Sequence, residues 1–497
     1  MKQTQEIKGT ELAEGAPGPS AAAPENSATR MAPARDGPTA PPPPTSLEEA
    51  GLTDEFVAGL VLKALHVRGA ALGFELSDIL ALPMSLLDDV IQDLQGRRFV
   101  EVQSTRGPTR GEYVFRLTSS GRGRTAEELA MCQYVGPAPV SMEDFQRWIE
   151  RQTIRGMHVT EQELREALDG VVLPDPMLEL LGPAVNSGHS VFLHGAPGNG
   201  KTLLAERIAR IFGDEYFVPY SVLLDGSVMI VHDPVHHRAR RESGPGDSPP
   251  DAAVPSGGDL HGDMRQEILR SLPEHDLRYA RARRPVVVTG GELTLEQLDL
   301  QWDPTRRIYQ APPQLKAAGG VLVVDDLGRQ RVPVRELLNR WVIPLEHRRD
   351  HLTLTTGKTI IVPFDCLVIF STNLEPRSLA DEAFIRRIHY KIQVPSPGRD
   401  DYERIFRACC AKREIPFDET ALAYLFEEIY ENGGVEPRGC HPRDLLDHLE
   451  NLARYRGEPP RLSRELLGKA CRTCFLPEGS GDASRPRAPG GETNHEE

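Results

Sequence analysis

The sequence predicts an α/β chain: a three-layer αβα core around a parallel sheet, with a run of helices behind it and a small α+β domain in front. Three observations carry this. Residues 190–194 form a short apolar run that reads as a buried strand, and residues 201–211 have helical periodicity, with Leu203, Leu204, Ile208 and Ile211 on one side. Residues 319–326, GGVLVVDD, read as a second buried strand, ending in two acids. From residue 399 to 476 only helical stretches follow, four of them.

Between the first strand and its helix stand Gly195, Ala196, Pro197, Gly198, Asn199, Gly200, Lys201 and Thr202, a Walker A P-loop in the strand-loop-helix setting that gives the motif its meaning. The glycines let the backbone wrap closely, so that N–H groups and a helix N-terminus point at phosphates, with Leu203 continuing that first turn. Lys201 reaches the β- and γ-phosphates of ATP as a point charge, and the Thr202 hydroxyl helps hold Mg²⁺. Asp325, at the tip of the second strand, joins the Mg²⁺ shell as in a Walker B. Asp326 stands where a water-polarising Glu is common; one methylene shorter, it still serves as a base.

Residues 1–46 are dominated by Pro, Ala, Gly and Ser, and are expected to be a disordered arm. Residues 47–135 read as a domain of three helices, at 54–67, 75–82 and 85–95. Strands at 99–103 and 113–117 follow, joined by an Arg/Gly/Pro turn. This order resembles a winged helix. Its third helix carries Asp88, Asp89 and Asp93, which repel phosphates, while Arg106, Arg110, Arg116, Arg122 and Arg124 lie on the wing side. DNA is therefore a possible partner but not the favoured one; a protein-docking or dimerising role is favoured.

Residues 136–170 form a helical linker, with helices at 142–152 and 161–168, leading to Val171 and Val172, which either line an adenine pocket or simply pack. The nucleotide core is placed at 171–398. Within it, residues 216–224 read as one strand, and a Gly/Pro/Asp/Ser-rich disordered insertion covers about 234–263. His232, His236 and His237 near its start read as a solvated loop rather than a metal site. Residues 352–362 alternate around a Thr-Gly-Lys turn, as a β-hairpin does. Residues 367–373, LVIFSTN, form an apolar strand ending in Asn373.

With this ordered set the chain resembles the AAA+ ATPase family over residues 171–476. The hairpin is similar to the one placed before sensor 1 in the branch that includes MoxR-like ATPases. The resemblance implies that Asn373 is the sensor 1 that positions the hydrolytic water. It implies that Arg386 or Arg387, at the end of the segment DEAFIRRI, is an arginine finger acting in a neighbouring subunit. It makes residues 399–476 a helical lid whose Arg443, in HPRD, is the sensor 2. A ring follows, a hexamer by resemblance, with a protein client the sequence does not name.

The formal net charge of −15 argues against a general nucleic-acid coat. Seven cysteines, an odd and small number for 497 residues, fit reduced thiols in a cytoplasmic protein. Cys471 and Cys474 read as buried small side chains rather than half of a zinc site. No apolar run is long enough for a membrane span, and the polar start lacks the apolar segment of a secretory signal. Residues 477–497 are expected to be a disordered tail. The activity expected is Mg²⁺-dependent ATP hydrolysis in the service of remodelling or assembling a protein complex. The alternatives are a DNA-associated regulator or loader and a slow nucleotide-dependent switch.

Overall fold

The computed structural model describes residues 40–212, 215–239, 275–375 and 382–475. Most of the expected arm, insertion and tail, together with Asp381, lies outside the described residues. The last part of the arm does not: residues 40–46 are placed, with Pro41 and Pro44 buried and the Asp276 N–H donating to the Pro41 carbonyl. Prolines three apart share one edge of an extended chain, so this run docks by one side.

The first domain comprises α1 (Asp54–Arg68), β1 (Ala70–Leu72), α2 (Gly73–Leu80), α3 (Met84–Gly96), β2 (Val100–Thr105), β3 (Tyr113–Leu117) and α4 (Ser119–Met131). Three helices and a β-ribbon were expected. The short β1 is additional, and it pairs with β3 to give an antiparallel sheet in the order β1-β3-β2. Thr53 caps α1, accepting from the Phe56 N–H, and Leu60, Val61 and Leu65 bury its inner face.

The linker is less of a spacer than the sequence suggests. Its helices α5 (Met142–Arg151) and α6 (Glu161–Ala167) form as expected, and a third, α7 (Asp175–Ser187), continues past the expected start of the core. Phe145, Trp148 and Ile149 of α5 are buried in a β-rich cluster of their own. Apolar side chains three and four apart on one face explain why a short amphipathic helix is held there.

After β4 (Val191–His194) and α8 (Lys201–Ala209) come β5 (Tyr216–Pro219), β6 (Ser221–Leu224), β7 (Ser227–Ile230), β8 (Tyr279–Ala282) and β9 (Val286–Thr289). The stretch expected as one strand is two, because the chain turns at Tyr220: β5 pairs with β8, whereas β6 pairs with β7. On α8, Leu204 and Ile208 are buried as expected, but Leu203 is 45% exposed and belongs to the outer face. Next follow β10 (Gln301–Asp303), β11 (Ile308–Gln310), α9 (Pro313–Lys316), β12 (Val321–Val324), α10 (Val334–Arg340) and α11 (Val342–His347). The expected hairpin is β13 (Arg349–Thr353) with β14 (Thr359–Pro363), and β15 (Leu367–Thr372), α12 (Glu382–Arg387) and β16 (Tyr390–Gln393) complete the core.

The central sheet runs β16-β4-β15-β12-β9, every neighbouring pair parallel. Alternation sorts its side chains into two layers. Val191, Leu193, Val323 and Ile369 pack toward α6, α7 and α8, whereas Phe192, Leu322, Val324 and Phe370 pack toward Trp341, Leu337 and Leu338. This is the three-layer αβα core expected. Val228 of β7 and Ile308 of β11 join the core of the first domain, which is thereby packed on the β-rich region.

Helices α13 (Arg399–Lys412), α14 (Glu419–Tyr424), α15 (His441–Arg456) and α16 (Arg464–Cys474) form the C-terminal bundle, with a π-helical turn at Leu425–Glu431 extending α14. Cys471 and Cys410 are buried in the bundle's own core, beside Tyr402 and Leu449.

Candidate functional site

Parallel strands in register bring their C-terminal ends together. Thr372 at the end of β15 pairs with His194 at the end of β4, and Val324 at the end of β12 pairs with Phe370. The residues that follow these ends are the P-loop, Asn373, and the Asp325–Asp326 pair. Three separated motifs therefore meet at one edge of the sheet, as such crevices do in open α/β folds.

The P-loop needs its glycines for two different reasons. Gly195 has φ 147°, and a Cβ there would stand 2.3 Å from the Val394 carbonyl oxygen. Gly198, at φ 84°, touches the C-terminal bundle: a Cβ there would meet Cys440 Sγ at 2.5 Å.

Lys201 opens α8 and is 7% exposed. Its Nζ donates to the carbonyls of Gly195 at 3.0 Å and Ala196 at 2.9 Å, and to Asn373 Oδ1 at 2.7 Å. Burial lowers its pKa from the ordinary lysine value, opposed by Asp325 and Asp326. Thr202 Oγ1 donates to Asp325 Oδ2 at 2.6 Å, and Asn373 Nδ2 donates to Asp326 Oδ1 at 2.9 Å. Asp326 takes the left-handed conformation, φ 48°, which turns its carboxylate back toward Asn373. A hydroxyl beside a carboxylate is the hard-oxygen pair that suits Mg²⁺, and the loop amides with Lys201 suit a phosphate chain.

Asn199 ties the loop to the C-terminal bundle. Its Nδ2 donates to Ser396 Oγ at 3.3 Å and its Oδ1 accepts from the Gly439 N–H at 3.2 Å, while Ser396 Oγ donates to Glu436 Oε1 at 2.7 Å. Sequence reading missed Ser396, Glu436, Gly439 and Cys440 as neighbours of the loop, because a contact between distant segments leaves no local pattern. It also missed His194, which ends β4 beside the loop; burial lowers its pKa, with Glu375 opposing and Lys201 adding to the shift.

Three expected site residues stand apart. Arg443 lies on α15 and folds onto its neighbour, donating from Nε and Nη2 to Asp444 Oδ1 at 3.0 and 2.9 Å. Arg386 and Arg387 end α12, which leads into the N-terminal end of β16. They therefore occupy the opposite end of the sheet from Lys201, with Arg387 bonded to Glu346.

The histidines expected in a solvated loop are not all solvated. His237 is 2% exposed, its Nδ1 accepts from the Asp233 N–H at 2.8 Å, and its Nε2 donates to the Lys316 carbonyl at 2.9 Å. The local sequence looks like loop, but a loop can be sealed by a neighbouring helix, here α9.

The model for the family described as Domain of unknown function (DUF8689) matches residues 398–473, the C-terminal bundle. No curated protein matches the chain. Among solved structures, NtrX from Brucella abortus is similar at 15% identity, over 66% of this chain and 60% of NtrX, with a TM-score of 0.37. The chain thus spans less than two thirds of that protein's length. NtrX in complex with ATP is similar at 15% identity, over 67% of this chain and 62% of that one, with a TM-score of 0.34. The Thermotoga maritima RuvB Holliday junction branch migration motor is similar at 13% identity, over 63% and 70% of the two chains, with a TM-score of 0.30. Likenesses at this level decide nothing about the site, which stands on its own geometry.

Proposed function

We propose that the protein is an ATP-binding and ATP-hydrolysing enzyme of the AAA+ kind, dependent on Mg²⁺ and working as an oligomer that remodels or assembles a protein complex. One observation carries the reading: the hydrogen-bonded set Lys201–Asn373–Asp326 beside Thr202–Asp325, at the ends of three adjacent parallel strands. A phosphate chain entering the loop takes over Lys201 from the Gly195 and Ala196 carbonyls. Thr202 and Asp325 hold Mg²⁺, which when bound supplies charge to the phosphates. Asn373 orients a water, and Asp326 accepts its proton.

Arg386 or Arg387 serves another copy, since the sheet separates both from their own P-loop. Arg443 reports lid position once released from Asp444. Among the first domain's arginines, Arg110 pairs with Asp88, Arg116 with Glu101, and Arg124 with Glu55, Glu127 and Glu128. Cations already matched by carboxylates offer little to a DNA backbone, which favours a protein client over DNA.

The deciding experiment measures ATP turnover against protein concentration, with particle size followed with and without ATP. Turnover that rises with concentration alongside an ATP-dependent assembly is expected. Tight ATP binding retained by Lys201→Ala overturns the reading. A slow switch is the second reading, favoured by the short Asp326 side chain tethered to Asn373; brisk turnover, left unchanged by Asp326→Glu, would end it.

A further inference from the structure

The segment that leads from the π-helical turn into α15 stands on the P-loop. Gly439 lies against the loop backbone: a Cβ there would be 3.3 Å from the Gly198 carbonyl oxygen and 3.6 Å from Asn199 Cα. Seen from the loop, a Cβ on Gly198 would meet Cys440 Sγ at 2.5 Å and Arg438 Cβ at 3.9 Å. Consecutive residues of the C-terminal bundle, Arg438, Gly439 and Cys440, thus cover Gly198 and Asn199.

Polar contacts fix this segment in place. The Gly439 N–H donates to Asn199 Oδ1, which turns Asn199 Nδ2 toward Ser396 Oγ; that hydroxyl accepts from the amide and donates to Glu436 Oε1. Ser396 stands between Pro395 and Pro397, whose rings restrict the backbone on both sides of it, so the anchor is stiff. The Arg438 N–H donates to His441 Nδ1 at 3.3 Å, and the Arg438 carbonyl accepts from the His441 N–H at 3.1 Å. The Arg438 backbone is therefore held at both of its polar groups, whereas its side chain is not. Arg438 is half-buried, and among the described residues neither a hydrogen bond nor an ion pair engages its guanidinium; Glu436, two residues earlier, is taken up by Ser396. After burial, the charge of Arg438 is the next cause that lowers the pKa of His441. Arg443 is in the opposite condition, with its side chain 64% exposed and bonded twice to Asp444. A half-buried cation without an anion loses solvation for nothing, and this one is carried on backbone locked to a loop whose amides gather phosphate.

We propose that Arg438 is a phosphate-binding residue, the arginine by which the C-terminal bundle contacts the phosphate chain of a nucleotide in the P-loop of the same chain. This rests on ATP binding at Lys201, proposed above. A guanidinium donates to phosphate oxygens from a planar fork and stays charged throughout the working pH range. Lys201 belongs to the core and Arg438 to the bundle, so a phosphate chain held by both ties the two parts together.

The test measures equilibrium ATP binding to the full-length chain by calorimetry and compares Arg438→Met, Arg443→Met and Lys201→Ala. Methionine keeps an unbranched apolar stem against Gly198 and removes only the charged head. Arg438→Met should weaken ATP binding about tenfold or more, while Arg443→Met should stay within about twofold of the parent. A second measurement leaves every arginine in place: ATP should slow phenylglyoxal labelling of Arg438, read by mass spectrometry. Arg438→Met binding ATP as the parent does, or labelling of Arg438 unaffected by ATP, overturns the inference. A loss confined to Arg443→Met also overturns it and gives the phosphate contact to that residue. In either case, ATP binding lost in Lys201→Ala leaves the P-loop reading standing, and ATP binding retained there removes that reading separately.

Discussion

Asn373 bridges Lys201 and Asp326, accepting from the lysine at 2.7 Å and donating to the carboxylate at 2.9 Å. One amide thus links the phosphate-binding cation to the candidate base. Asn373→Ala should leave nucleotide affinity within a few fold, because the loop amides and Lys201 remain, yet lower single-turnover hydrolysis by about 100-fold. Fluorescent-nucleotide binding and a chemical quench on the same preparation check this. Equal losses in both would make Asn373 a phosphate-binding group instead.

The contact between Gly198 and Cys440 predicts a coupled pair. Gly198→Ala meets two penalties, a left-handed φ of 84° worth about 1–2 kcal/mol for an L-residue and a clash with Cys440 Sγ. Combining it with Cys440→Gly should remove the second penalty and leave the first. ATP affinity should therefore fall in the single variant and recover in part in the double, a non-additivity that a double-mutant cycle measures. Purely additive effects would show that the bundle does not rest on the loop when nucleotide binds.

The uneven legibility of this chain has physical causes. The strands at 191–194, 321–324 and 367–372 are buried on both faces, so they stand out as apolar runs, and the residues following them were legible for that reason. The split of residues 216–224 into two strands was marked only by Pro219, which stands at the break before Tyr220 inside an otherwise continuous apolar run and is equally at home at the end of a strand. The sealing of His237 was not legible, since it depends on the Lys316 carbonyl almost eighty residues away. The cluster joining Asn199, Ser396 and Gly439 is likewise created by packing.

Acid should destabilise the chain through two buried imidazoles. Burial lowers the pKa of His237 and of His441 to about 4 each. His441 Nδ1 accepts from the Tyr430 hydroxyl at 3.1 Å, and Tyr430 in turn meets the Tyr402 hydroxyl at 2.6 Å, so the neutral ring is the one that fits. A pKa below the unfolded value of about 6.5 means that the unfolded chain binds more protons. The stabilisation is complete above pH ~6.5, declines as pH falls, and is exhausted near pH 4. Each imidazole contributes at most about 3 kcal/mol. Urea midpoints taken between pH 7 and pH 4 should fall, and fall less in His237→Gln than in the parent. Midpoints that hold steady across that range would mean that neither ring is neutral for the reason given.

The buried pair Arg278–Asp276 makes the last prediction, about the joint between the first domain and the core. Both side chains are 3% exposed, and the guanidinium donates to both carboxylate oxygens, at 3.1, 3.0 and 2.7 Å. Its Nη1 also donates to the Ala50 carbonyl at 2.8 Å, so one side chain joins the residues leading into β8 to the start of the first domain. Removing one partner strands a buried charge, and Arg278→Met should cost about 3–5 kcal/mol. Replacing both, as Arg278→Met with Asp276→Asn, should recover a good part of that loss, because no charge is then left without a partner. It should not recover the Ala50 contact, so proteolysis near residue 50 should remain faster than in the parent even where the thermal midpoint is restored. A double variant as unstable as the single would place the stabilisation in the Ala50 hydrogen bond rather than in the ion pair.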